Sequence, residues 1–359
     1  AGWFDAGTAN GVLKRFHTFS NSQTVIIGPW GHGAEEALDP FHPSGISDSL
    51  SVEEQFLAME GFFAPFLKGN TAPQPQREIL YYTLNEGAWK TTEVWPPMHV
   101  SPDTVYFAEG NTLLASMPQS QQAFDSYTVD FTASNGSGGR WLQDANKFLP
   151  DRAAEDLKLL TYTSKPLASD LEITGHPEIK LFAKSTASDG VFIVYLEDVA
   201  PDGRVTYITE GVLRAIHRKV SNAPPPYHHY GPYHSYLRAD GMPIPAGEVV
   251  ELHFALQPTS VRLEAGHRIR VAISGHDAST FERIPESGTP TIEVQRSAIF
   301  ASQLILPVAS ELPLGVNDQE SFKPAGFRLE QNYPNPFNPS TTFRVSLENP
   351  AEVQIKVFD

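Results

Sequence analysis

A chain of 359 residues, 40% hydrophobic and 19% charged, has the composition of a folded protein of two or three domains rather than a disordered one. Its formal net charge of −16, from 42 acidic against 26 basic residues, excludes nucleic acid or an anionic membrane as the expected partner, since both need basic surface. The lack of cysteine excludes disulfides, thiolate metal sites and a cysteine nucleophile within these residues, and no apolar run is long enough to span a membrane.

The chain opens on Gly2-Trp3-Phe4-Asp5. Residues 9–20 then carry apolar side chains at Val12, Leu13, Phe16 and Phe19, the spacing of one helix face. The run Thr24-Val25-Ile26-Ile27 reads as a short strand of a sheet covered on both faces. It stops at Gly28-Pro29, which leads through Trp30 and Gly31 to His32. His32 is thereby placed on a loop just past a strand end, where catalytic groups of open α/β sheets sit.

Hydrolysis through a serine needs an imidazole to take the hydroxyl proton and a carboxylate to hold that imidazole in the right tautomer. Asp5 and His32, separated by one helix and one strand, follow the order in which an α/β-hydrolase presents its acid and then its base, after a nucleophile nearer the N-terminus. Only four residues precede Asp5, so the expectation is the back end of a serine hydrolase whose serine and most of whose oxyanion hole lie upstream. Singly, an Asp at a strand end is usually a cap and a loop His is usually solvated; the pairing and the order carry the assignment. His17, on the expected helix, and His42, with no motif around it, are the competing bases.

A second helix is signalled by the capping box Ser51/Glu54, an apolar stripe of Phe56, Phe63, Phe66 and Leu67, and a stop at Gly69. Thr71-Ala72-Pro73-Gln74-Pro75 reads as a linker. Beyond it come short β-rich runs, at 79–84, 179–183, 191–196, 205–208, 249–254, 269–274 and 303–306, many separated by Gly or Pro turns: an all-β sandwich or jelly roll. Residues 110–160, polar and rich in Gly, Ser and Asn, read as long loops across it, and Gly136-Ser137-Gly138-Gly139 as a flexible loop without the G-x-S-x-G of a nucleophile elbow. The run Tyr227-His228-His229-Tyr230-Gly231-Pro232-Tyr233-His234 lacks metal-ligand spacing and follows Pro224–Pro226, so it is expected to be an extended loop. Past a polar linker, the turn-rich Asn332–Thr342 precedes two alternating runs at 342–347 and 353–358.

Several of these segments resemble a known family. Residues 1–70 are similar to the end of the catalytic domain in the cocaine esterase, α-amino-acid ester hydrolase and X-Pro dipeptidyl-peptidase family, whose members carry Gly-Trp-Tyr/Phe-Asp with the triad acid and Gly-Pro-Trp-x-His with the triad base. Asp5 and His32 match those positions, and Arg15-Phe16 and Phe66-Leu67-Lys68-Gly69 fit the pattern. Pro245-Ala246-Gly247-Glu248, Pro258-Thr259-Ser260 and Ala265-Gly266-His267-Arg268-Ile269-Arg270 resemble the family's C-terminal jelly roll. Two departures bear on substrate preference: Gly7 where relatives place a pocket aromatic, and His276-Asp277-Ala278-Ser279 in place of Ser-Ser-Asn-Phe. The tail from Phe327 resembles the start of a type IX secretion sorting domain, cut short at 33 residues.

The resemblance implies an exported bacterial serine hydrolase, secreted or held at the cell surface, that cleaves an ester or amide (acyl or X-Pro peptide) bond. It implies no metal or organic cofactor; the expected partners are a small ester, amide or peptide substrate and the type IX secretion machinery. The expected fold class is α/β plus all-β, in four parts. Residues 1–75 are a C-terminal remnant of an α/β-hydrolase domain, 76–312 a jelly-roll β-sandwich, 313–326 a linker and 327–359 a partial β-rich sorting tail. The rival reading is a secreted β-sandwich that binds carbohydrate or a surface and carries a sorting tail.

Overall fold

The computed structural model describes residues 1–35, 37–42, 49–68, 77–136, 138–141 and 150–310, with two short strands nearer the C-terminus. Residues Ala1–Glu311 form one compact unit and Leu312–Asp359 another.

In the first unit, Ala1–Trp3 run parallel to strand β1 (Gln23–Ile27). The Gly28 amide donates to the Ala1 carbonyl at 3.0 Å and the Trp3 amide donates to the Gly28 carbonyl at 2.9 Å. Helix α1 (Thr8–Thr18) connects the two segments and buries Leu13 and Phe16 in the same core as Val25 and Ile27. Phe19, expected on the helical face, is instead the first extended residue after the last turn and is 54% exposed. The unpaired carbonyls at that helix end are taken up by Arg77, whose guanidinium donates to Phe16, Phe19 and Asn21. On β1, Gln23, Val25 and Ile27 are buried while Thr24 and Ile26 are only half-buried, so the strand is fully covered on one face and not on both.

Strand β2 (Arg77–Thr83) pairs parallel with β1, and β3 (Ala88–Thr92) pairs antiparallel with β2. The run 79–84, expected to open the sandwich, therefore belongs to this three-stranded sheet. A parallel neighbour needs a crossover of a dozen or more residues, and the segment from Gly28 onward, which contains helix α2 (Val52–Lys68), supplies it. The α2 capping box forms as the sequence implies: the Ser51 amide and hydroxyl donate to Glu54 at 2.7 and 2.8 Å, and the Glu54 amide donates to Ser51 Oγ at 3.2 Å. None of its side chains is buried, and Phe56, Phe63, Phe66 and Leu67 are exposed. Gly69 and the linker 71–75 lie outside the described residues.

Among the described residues, the second sheet has thirteen strands. Its most protected member, Val191–Val199, is buried at every position and lies antiparallel between Val205–Arg214 and Arg268–Ser274. Gln303–Ala309 lies between Val100–Ala108 and Glu178–Ser185. The stretch expected to be loops contains strands Thr112–Leu114 and Phe124–Thr128, a 3₁₀ turn at Glu155–Lys158 and the start of strand Leu160–Ser164. Short and polar, these segments are strands because neighbours supply the pairing, not because their side chains demand it. Leu84 joins the two sheets: its amide donates to the Ser260 carbonyl at 2.8 Å, and the Arg262 amide donates to the Leu84 carbonyl at 3.0 Å.

In the second unit, Phe327–Leu329 pairs antiparallel with Val345–Leu347. The turn-rich Asn332–Thr342 and the run 353–358 lie outside the described residues.

Candidate functional site

The two motifs singled out in the sequence meet at one end of the three-stranded sheet. Asp5 follows the segment parallel to β1, and His32 follows β1 itself, so both come off the C-terminal ends of parallel neighbours. That is the end at which open α/β sheets place their ligands. The His32 Nδ1 lies 3.1 Å from Asp5 Oδ1. An ionised carboxylate only accepts, so Nδ1 carries the proton and donates, which leaves the lone pair on Nε2. The His32 side chain is 64% exposed and that of Asp5 is 18% exposed.

Each motif residue has a physical reason. A Cβ on Gly2 would sit 2.1 Å from the Trp30 carbonyl oxygen, and one on Gly28 would sit 2.5 Å from the Trp30 ring, so neither position admits a side chain. Trp30, itself buried, donates from Nε1 to Ser49 Oγ at 3.0 Å and packs on Trp89, which fixes the loop just before His32. Trp3 donates from Nε1 to the Tyr82 carbonyl at 2.7 Å, and Phe4 packs on Tyr207 of the sandwich. Burial of a ring such as Phe4 contributes about 2–3 kcal/mol, enough to hold the turn that follows in place.

That turn is unusual. Ala6 has φ +43, the left-handed region that residues with a Cβ avoid. The Asp5 carbonyl accepts from both the amide and the hydroxyl of Thr8 at 2.9 Å, which ties the acid to the first turn of α1. On its other side the Ala6 amide donates to the Arg140 carbonyl at 2.8 Å. Arg140 is buried and its guanidinium reaches the Trp3 carbonyl at 2.9 Å and the Ala6 carbonyl at 3.4 Å. Sequence reasoning missed Arg140: it follows the Gly-rich loop, with no periodicity to announce that it is buried. Ser137 of that loop lies outside the described residues.

The competing histidines have other employment. His17 accepts at Nε2 from the Trp95 amide at 3.2 Å and packs against His228 and Tyr230; burial, then the neighbouring His228 and Arg77, hold its pKa below the ordinary value. His42 lies 3.2 Å from Asp39, but Asp39 is fully buried and also accepts the amides of Phe41 and Asn85, the pattern of a turn anchor. The Tyr227–His234 run packs on α1, where Tyr230 stacks on His176 and donates to the Leu13 carbonyl. His253–Glu178 at 2.9 Å and His267–Asp198 at 2.7 Å repeat the histidine–carboxylate contact inside the sandwich.

Comparison with known proteins adds the context. The chain is 42% identical over 314 residues to a Mycobacterium bovis protein named as a serine esterase, covering 86% of this chain and 49% of that one. It is 25% identical over 342 residues to the cocaine esterase of a Rhodococcus species, covering 86% and 55%. The chain thus spans about half the length of the curated relatives it matches. Among solved structures, an aminopeptidase from a marine sediment archaeon superposes with a TM-score of 0.65 at 21% identity, over 79% of this chain and 49% of that one. An α-amino acid ester hydrolase superposes with a TM-score of 0.63 at 18% identity, over 80% and 50%. Both show that the β-rich fold is shared. Residues 70–306, which include Arg140 and Tyr207 and leave Asp5 and His32 outside, match the X-Pro dipeptidyl-peptidase C-terminal non-catalytic domain, and the chain belongs to that family.

Proposed function

We propose that Asp5 and His32 are the acid and base of a Ser-Asp-His triad, that residues 1–75, with β2 and β3 beside β1, are the end of an α/β-hydrolase domain, and that the sheet from Val100 to Ala309 is a jelly-roll β-sandwich beside it. The observation that carries this is the 3.1 Å contact between His32 Nδ1 and Asp5 Oδ1 at the C-terminal end of parallel strands. With Nδ1 committed to Asp5, Nε2 is left to take the proton of a serine hydroxyl and to return it to the leaving group. The order nucleophile, acid, base puts the serine of the proposal N-terminal to Asp5, in sequence preceding Ala1. This agrees with a chain that spans about half of its relatives' length. The names of the relatives, serine esterase and cocaine esterase, favour an ester bond, and the X-Pro dipeptidyl-peptidase family name keeps an amide or peptide bond as the alternative substrate.

The test uses the protein encoded by the complete reading frame. A fluorophosphonate probe should label one serine N-terminal to Ala1, and His32→Ala should abolish labelling and ester turnover. Absence of a reactive serine, or full labelling in the variant, would overturn the triad and favour a β-sandwich that only binds.

The reading of the tail from Phe327 as a type IX sorting segment, and with it export to the cell surface or beyond, rests on the Asn332–Thr342 motif. Deleting residues beyond 312 should leave turnover unchanged and retain the enzyme in the cell envelope. Normal export of the truncated protein would contradict the assignment.

A further inference from the structure

We infer that Arg140 is a positioning residue for the reaction: a buried clamp through which the sandwich sets the direction of the Asp5 carboxylate. The inference rests on the triad reading above.

The geometry is local and complete. Trp3 and Ala6 bracket the acid, and Arg140 binds both: its Nη2 donates to the Trp3 carbonyl at 2.9 Å, its Nη1 to the Ala6 carbonyl at 3.4 Å, and its own carbonyl accepts the Ala6 amide at 2.8 Å. The remaining guanidinium nitrogen, Nε, donates to the Tyr207 hydroxyl at 2.8 Å. Tyr207 is fully buried in strand Val205–Arg214 and its ring packs on Phe4. Both residues next to the bracketed acid's backbone are therefore referenced to one rigid strand of the sandwich.

A turn held at φ +43 by a non-glycine residue relaxes unless contacts hold it, and relaxation of Ala6 would swing the Asp5 side chain. A flat guanidinium can serve two carbonyls and a hydroxyl at once, whereas a lysine ammonium would have to choose among them. The charge also has an answer: Arg140 opposes the upward push that burial gives the Glu210 carboxyl, and Glu210 is held by the Trp141 indole beside Arg140. Arg140 makes no contact with the reacting atoms; it acts through the Asp5 backbone.

A well-placed carboxylate holds the His32 ring in the tautomer and direction that present Nε2 to the nucleophile, so misplacing it costs turnover at each intact site rather than substrate binding. The experiment compares Arg140→Ala, Arg140→Lys and Tyr207→Phe in the protein from the complete reading frame, with active sites titrated by a fluorophosphonate. Expected for Arg140→Ala is a fall in kcat per titrated site of about 10- to 100-fold with KM within about twofold. Millimolar guanidinium should restore part of kcat. Arg140→Lys should fall between parent and Arg140→Ala, and Tyr207→Phe should show the same loss of kcat more weakly. A loss of titratable sites with unchanged kcat per site, or a fall in kcat that guanidinium does not restore, would make Arg140 a folding residue only and overturn the inference. If Arg140→Ala does not fold, the other two variants decide by kcat per titrated site, and parent-like values in both overturn it. His32→Ala is the control: if it turns over like the parent, the triad reading itself fails, and the clamp's role in catalysis with it.

Discussion

The histidine–carboxylate contact occurs in two settings in this molecule. At the edge of the three-stranded sheet, His32 meets Asp5 at 3.1 Å with most of its ring in solvent. Inside the sandwich, His267 meets Asp198 at 2.7 Å with side-chain exposures of 16% and 1%. The interior contact is the shorter and the drier one, yet the second nitrogen of its ring, Nε2, faces another carboxylate, Glu264, at 3.9 Å. Burial raises the pKa of Asp198 and the hydrogen bond from His267 counters it, as in a structural pair held inside a core. A short contact thus identifies a pair; its position on the sheet and a free second nitrogen identify a base.

The difference predicts where each region registers damage. Asp5→Asn removes the charge that supports His32 without emptying a core, so turnover should fall by about 10⁴-fold, the loss that this substitution causes in a serine-protease triad. Stability, read by urea unfolding, should move by no more than about 0.5 kcal/mol. A variant that unfolds more easily while retaining turnover would place Asp5 with the structural carboxylates and erase the contrast.

The sequence made the edge legible and the interior much less so. Gly2, Gly28 and Trp30 are forced by close backbone approach, and such constraints leave a short, local signature around Asp5 and His32. Capping by Ser51 and Glu54 is local too, and it was readable for that reason. What could not be read depends on distant partners. The strand 79–84 changed sheets because its parallel neighbour lies across a long crossover, and the polar segments of 110–160 became strands on borrowed pairing. Periodicity announced an apolar face on both helices, but only α1 finds a partner for it among the described residues. Buried arginines were the least visible: Arg140 and Arg152 sit in polar sequence and are recognisable only from the carbonyls and carboxylates around them.

Arg152 leads to the smaller expected effect, on stability and its dependence on pH. Its Nε donates to Glu197 Oε1, and it lies 3.9 Å from Asp156, which Arg270 pairs with at 2.7 Å. Glu197 is fully buried, and its Oε2 and Asp156 Oδ1 find no hydrogen-bond partner among the described residues unless they share a proton. Burial pushes the Glu197 carboxyl from its ordinary 4.5 up to about 8, against the pull of Arg152 and with help from Asp156. The folded protein therefore holds a proton that the unfolded chain releases near pH 4.5. The stabilisation is present in full below that value and is lost as pH rises toward 8, at up to about 1.4 kcal/mol per pH unit. Glu197→Gln replaces the proton with a permanent amide donor to Asp156. Urea unfolding at pH 5.5 and pH 8.5 should show the parent losing about 2–4 kcal/mol more than the variant between the two. Turnover per active site should be unchanged by the substitution, because nothing at the sheet edge touches this network. Parallel pH dependence in parent and variant would mean that Glu197 is ionised in the fold, held by Arg152 alone.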